Sequence, residues 1–175
     1  MVAIPILSFL LSGWMIGWAS APVDPYWAQA NRKKAALMSV AGPAANLLLV
    51  LAAALLIRGG MLLGFFHVPQ TSTFTCVTEA GALGLANAVA VVVSILFSLN
   101  LILLVFNLIP LPPLDGSNVL LFFLSDQAAH RYESFLYQPM HRMIGLVIAW
   151  QFFGPVFDPI HTLALNILYP GAGYH

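Results

Sequence analysis

An all-α, polytopic membrane fold with about four transmembrane segments is what the sequence predicts. Three observations carry the prediction. Of 175 residues, 61% are hydrophobic and only 7% charged, where a soluble domain carries about 25% charged residues. Residues 1–21, 35–57 and 81–114 contain no Asp, Glu, Lys, Arg or His. Proline and glycine recur inside and between these runs, so the helices are expected to be broken or kinked in places. By length the chain, residues 1–175, is one membrane-embedded domain. Formal net charge is zero, and three of the six basic residues sit in one loop. That excludes a nucleic-acid footprint. A single cysteine, Cys76, excludes an internal disulfide and a cysteine-based zinc site.

The first candidate segment, residues 3–19, is short for a helix that needs about 20 residues to span. Pro5, Gly13 and Gly17 permit a kinked or re-entrant path, and Trp14 and Trp18 suit an interface. The apolar run begins at Met1 with no basic flank, unlike a signal peptide. The chain is therefore expected to start inside a larger protein. Residues 20–34 read as a polar loop closed by Arg32-Lys33-Lys34. The positive-inside rule puts that loop in the cytoplasm; binding of anionic lipid is the other use of such a cluster.

Residues 35–57 form the second segment. Its small residues, Ala41, Gly42, Ala44 and Ala45, let another helix approach closely, and Asn46 is its polar side chain. Residues 58–83 read as an outer loop with few basic groups; His67 and Cys76 are expected to be a solvated side chain and a thiol without a role. Residues 85–109 form the third segment. Asn100 and Asn107 are seven apart and share a helix face. With Ser94 and Ser98 they make a polar stripe that should face the bundle interior. Residues 125–142 read as an interfacial helix ending near Pro139. On it, His130 and His141 would stand about 16 Å apart, too far to share a metal. His130 and Glu133 are expected to be a solvated pair. Residues 143–168 are expected to cross once, with interruptions at Gly154-Pro155 and Asp158-Pro159. Short extended pieces are expected near Pro22 and Pro69.

The chain is organised around Asn107-x-x-Pro110-x-Pro112-Pro113-Leu114-Asp115-Gly116. Asp115 is the only ionisable side chain between Ala80 and Ser125. A carboxylate at or near bilayer depth is costly and points to function. Three prolines remove amide donors and break the helix, and open backbone at that depth survives only where protein or water covers it. Asp115-Gly116 reads as a turn that aims the carboxylate back at the preceding helix. Alternatively, Asp115 caps the next helix.

This stretch resembles the C-terminal signature of the site-2 protease family, the M50 intramembrane zinc metallopeptidases. Ala41-Gly42-Pro43-Ala44-Ala45-Asn46 resembles a second family motif, and residues 17–25 resemble the segment preceding it. The resemblance covers residues 4–124. It implies peptide-bond hydrolysis in or near the membrane, with Zn2+ as cofactor and Asp115 as its third ligand. It also implies a membrane-protein or peptide substrate held near Asn46, and Asn107 beside the reacting carbonyl as a donor to the oxyanion. The expected setting is the lipid bilayer of a bacterial-type cell membrane, crossed several times, with Asp115 toward the cytoplasm. The family's first two ligands come from a His-Glu-x-x-His helix, and this sequence has none. The resemblance therefore implies an N-terminally incomplete metalloendopeptidase that binds no zinc alone. A non-catalytic relative that binds membrane-protein segments stays open. So does a small transporter or channel subunit built on a broken helix and an intramembrane aspartate.

Overall fold

The computed structural model describes residues 24–81, 84–136 and 138–174. The predicted segment at residues 3–19, Pro22 and most of the motif at residues 17–25 lie outside them. The chain divides into two compact units, Met1–Asn31 and Arg32–His175. In the first, α1 (Pro25–Ala30) starts behind Asp24, whose Oδ1 accepts from the Tyr26 amide at 2.9 Å, with Pro25 in the first turn. Proline is suited to that position because its missing N–H has no helical partner there.

The second unit is built on α2 (Arg32–Leu62), α3 (Leu85–Leu108) and α6 (Pro139–Leu168), with α4 (Asp115–Phe123) and α5 (Asp126–Leu136) between the last two. Among the described residues, three helices are long and apolar enough to cross a membrane. A helix satisfies its own backbone in lipid, which is why runs of Leu, Ala and Val become helices there. Two predicted interruptions are absent. Pro155 and Pro159 lie inside an unbroken α6, and Pro43 inside an unbroken α2. Each proline costs one helical hydrogen bond, which a long membrane helix absorbs. The break falls instead at residues 109–114, where three prolines crowd into four positions. Pro139 does not end the interfacial helix; it opens α6. α2 also runs five residues past the predicted end at Ile57.

The end of α2 shows why it stops where it does. Gly64 takes φ +75°, the Phe65 amide reaches back to the Gly60 carbonyl at 2.9 Å, and the Gly64 amide to Met61 at 3.0 Å. This paired arrangement needs a left-handed residue, and glycine takes that conformation without steric cost. Beyond it lies a small antiparallel ribbon, β1 (Phe66–His67) with β2 (Glu79–Ala80), Phe66 opposite Ala80. Extended backbone does occur next to Pro69.

The core joins Val50, Ala53 and Ile57 of α2 to Val93, Phe97 and Leu101 of α3 and Leu165 of α6. Ser94 Oγ accepts from the Val77 and Thr78 amides at 2.9 and 3.1 Å. Tyr169 donates to the Val77 carbonyl at 2.8 Å, and Arg58 Nη1 to the Leu168 carbonyl at 3.2 Å. One end of the unit is thus closed by the ribbon, its loop and the last turn of α6. The opposite end is tied by Arg32, the first residue of α2, whose guanidinium grips Glu133 of α5 through Nε at 3.0 Å and Nη2 at 3.1 Å. His130 does pair with Glu133, Nδ1 to Oε2 at 3.7 Å, and its side chain is exposed, but the expectation that Glu133 is solvated is corrected. Glu133 is only 7% exposed, because a two-pronged guanidinium contact offsets the cost of withdrawing a carboxylate from water.

Cys76 checks which end faces out. Its Sγ lies 3.7 Å from Glu79 Oε1, and burial, then the Glu79 charge and hydrogen bond, raise its pKa above the ordinary thiol value. The thiolate is the reacting form. A membrane-impermeant maleimide added to intact cells is expected to label Cys76 slowly at neutral pH and faster as pH rises. Glu79→Gln should lower the pKa and speed labelling. Labelling only after lysis would invert the topology.

Candidate functional site

The site grows from the broken stretch between α3 and α4. The chain leaves α3 with Ile109 extended, and the Leu111 amide bonds the Ile109 carbonyl at 2.8 Å. The Pro112–Pro113 bond is cis. The Leu114 amide closes on Leu111 at 3.0 Å, and Ser117 then bonds the Leu114 carbonyl through both its amide (3.1 Å) and its hydroxyl (2.7 Å). α4 begins at Asp115. The cap position belongs to Leu114, and no side chain makes a capping bond there. The carboxylate of Asp115 is thus not used as a cap.

Three glycines close the backbone around this turn. A methyl group on Gly42 of α2 would lie 3.0 Å from Asp115 Oδ2. One on Gly116 would overlap the carbonyls of Leu108 and Ile109, and one on Gly145 of α6 the carbonyl of Pro112. The expected direction of the carboxylate is corrected accordingly. Gly116 packs on the end of α3, while the Asp115 carboxylate lies against α2. Asn46 stands four residues after Gly42, on the same face of α2, and it is partly buried. Asn107 sits on the last turn of α3, also partly buried. Asn100 turns its amide back to the Leu96 carbonyl at 2.8 Å, so its polar group is satisfied within its own helix. Gly42 and Asp115 are brought together from two motifs that lie 73 residues apart in number.

A family model for peptidase family M50 matches residues 8–152. The chain belongs to peptidase family M50. Among curated proteins, the candidate zinc metalloprotease YwhC of Bacillus subtilis (strain 168) is 34% identical over 106 residues, 59% of this chain. The matched stretch spans only 42% of that relative's length. No solved structure matches the chain.

Membership in M50 raises the question of zinc. Catalytic zinc needs three protein ligands and an open position. Among the described residues, no three His, Cys, Asp or Glu side chains come together. His67 lies in β1 and His130 on α5; His161 stacks on Phe157 of α6 with ring centroids 5.3 Å apart. Among the described residues the donors at the site amount to one carboxylate, that of Asp115, where a catalytic zinc needs three protein ligands.

Sequence reasoning missed Gly145, Tyr132 and the burial of Glu133. No local pattern marks them, since each matters through a partner at least 22 positions away in sequence.

Proposed function

We propose that this M50 chain carries the aspartate-bearing part of an intramembrane metallopeptidase, a hydrolase of peptide bonds in membrane-protein substrates. Asp115 is the carboxylate it offers to zinc. Asn46 and Asn107 are amides placed to hold substrate backbone or a developing oxyanion. The observation that carries the proposal is the approach of Asp115 to Gly42. The two motif segments meet, and the carboxylate is left over from capping. Arg32, Lys33 and Lys34 at the start of α2 support a cytoplasmic placement of this end.

The chain by itself is expected to hold no stoichiometric zinc after mild chelation, measured by elemental analysis of the purified protein. Near-equimolar zinc that vanishes in Asp115→Ala would reject that expectation and show a ligand set assembled around Asp115. The reading frame upstream of Met1 tests the function. An in-frame His-Glu-x-x-His helix there supports the peptidase. Its absence favours the second reading, a non-catalytic M50 member that binds membrane-protein segments. The observation behind that second reading is the single-carboxylate donor set.

A further inference from the structure

Prolines at 110, 112 and 113 strip the α3–α4 turn of amide donors. The bonds it keeps run along the turn itself, and two of its carbonyls are approached by other helices. Tyr132 of α5 donates its hydroxyl to the Pro110 carbonyl at 2.9 Å. Burial raises the Tyr132 phenol above its ordinary pKa, so the hydroxyl keeps the proton it donates. Gly145 of α6 lets that helix's backbone close on the Pro112 carbonyl, where any side chain would collide. Glu133, the neighbour of Tyr132, ties α5 to the start of α2 through Arg32. The turn is thereby referenced to α2, the same helix whose Gly42 faces the carboxylate.

We propose that Tyr132 and Gly145, which lie outside all three motifs, are positioning residues for Asp115. They fix the backbone at residues 110–112, and Asp115 follows three residues later. Their grip sets where its carboxylate stands against Gly42. A preorganised site tolerates errors of only about 0.5 Å, so contacts that hold residues 110–112 bear on where the carboxylate stands. The catalytic consequence rests on the peptidase reading; the effect on the turn does not.

Hydrogen exchange on the full 175-residue chain in lipid nanodiscs tests the proposal. Tyr132→Phe keeps the ring and removes the hydroxyl. It is expected to speed exchange of the Leu111, Leu114 and Ser117 amides by about three- to tenfold, the size of one lost hydrogen bond. Exchange inside α2 and α3 should not change. Gly145→Ala should act on the same amides; if it fails to fold, Tyr132→Phe still decides. Unchanged exchange at the three amides in Tyr132→Phe, or acceleration spread evenly over the chain, overturns the proposal. In the complete peptidase, Tyr132→Phe should lower kcat by about tenfold to a hundredfold and leave KM unchanged, as displacement of a reacting group does. An unchanged kcat there also overturns it. A wild-type protein that cleaves nothing sinks the peptidase reading instead and leaves the exchange result to stand by itself.

Discussion

On the peptidase reading, Asp115→Asn is expected to abolish cleavage of a model membrane substrate by a protein that also carries a His-Glu-x-x-His helix, while expression and membrane insertion stay at wild-type levels. Asparagine keeps the size of the side chain and much of its hydrogen bonding but removes the charge that a metal requires. Groups that merely support metal ligands cost about 10- to 100-fold when lost, so loss of a ligand should exceed a hundredfold. Asp115→Glu is the stricter comparison. It keeps the charge and moves the oxygens by about one methylene, beyond the roughly 0.5 Å that a preorganised site tolerates. It also pushes a longer side chain against Gly42, where a methyl would already stand 3.0 Å from Oδ2. Both variants should be inactive. A helix cap would behave otherwise, since asparagine caps about as well as aspartate. Full cleavage by Asp115→Asn would return Asp115 to a structural role, against the placement of Leu114 at the cap. Ion flux through liposomes that is lost in Asp115→Asn would instead favour the transporter reading.

Gly116→Ala is expected to destabilise the protein by about 1–3 kcal/mol, the usual range for forcing extra atoms into packed space. The added methyl meets two backbone carbonyls, those of Leu108 and Ile109. Backbone at a helix end cannot swing aside as a side chain does, so the end of α3 must unwind or α4 must tilt. Either movement displaces Asp115, and activity should fall with stability. Gly59→Ala and Gly154→Ala provide the contrast. Nothing lies within 4 Å of a methyl at either position, and both are inside helices. Alanine there is expected to be neutral or to stabilise by roughly 0.5–1 kcal/mol, the ordinary helix preference of alanine over glycine. Thermal unfolding of the three variants in one detergent, followed by circular dichroism, checks the order. Equal midpoints for Gly116→Ala and Gly59→Ala would show that α4 does not rest on the end of α3.

Much of this fold is written in composition. Residues 35–57, 85–109 and 143–168 are apolar over bilayer length, and each lies in a helix long enough to cross. Three prolines in four positions correctly mark the break between α3 and α4. Single prolines misled, because Pro155 and Pro159 each stand alone within a helix that continues on both sides. The family motifs singled out Asp115 and Asn46, while only the folded backbone shows that Gly42, read in the sequence as a packing residue, approaches Asp115. Glu133 looked like any charged residue on an amphiphilic helix, and its burial depends on Arg32 more than a hundred positions earlier. Gly145 carries no local signal either: a glycine within an apolar helix reads as a small residue until Pro112 is placed against it.

The Arg32–Glu133 grip has a consequence in time. The two residues are 101 positions apart, and at about 5–20 residues per second a ribosome needs roughly 5–20 s to travel from one to the other. When the basic cluster emerges, its carboxylate does not yet exist. With this end cytoplasmic, as proposed above, Arg32 would act during that interval with Lys33 and Lys34 as a retention signal for the near side of the bilayer. Only after α3 has been made, and the turn behind it, does Glu133 arrive and draw the guanidinium into the protein. On that orientation one side chain would serve first as an orientation mark for the nascent chain and later as a rivet in the finished one.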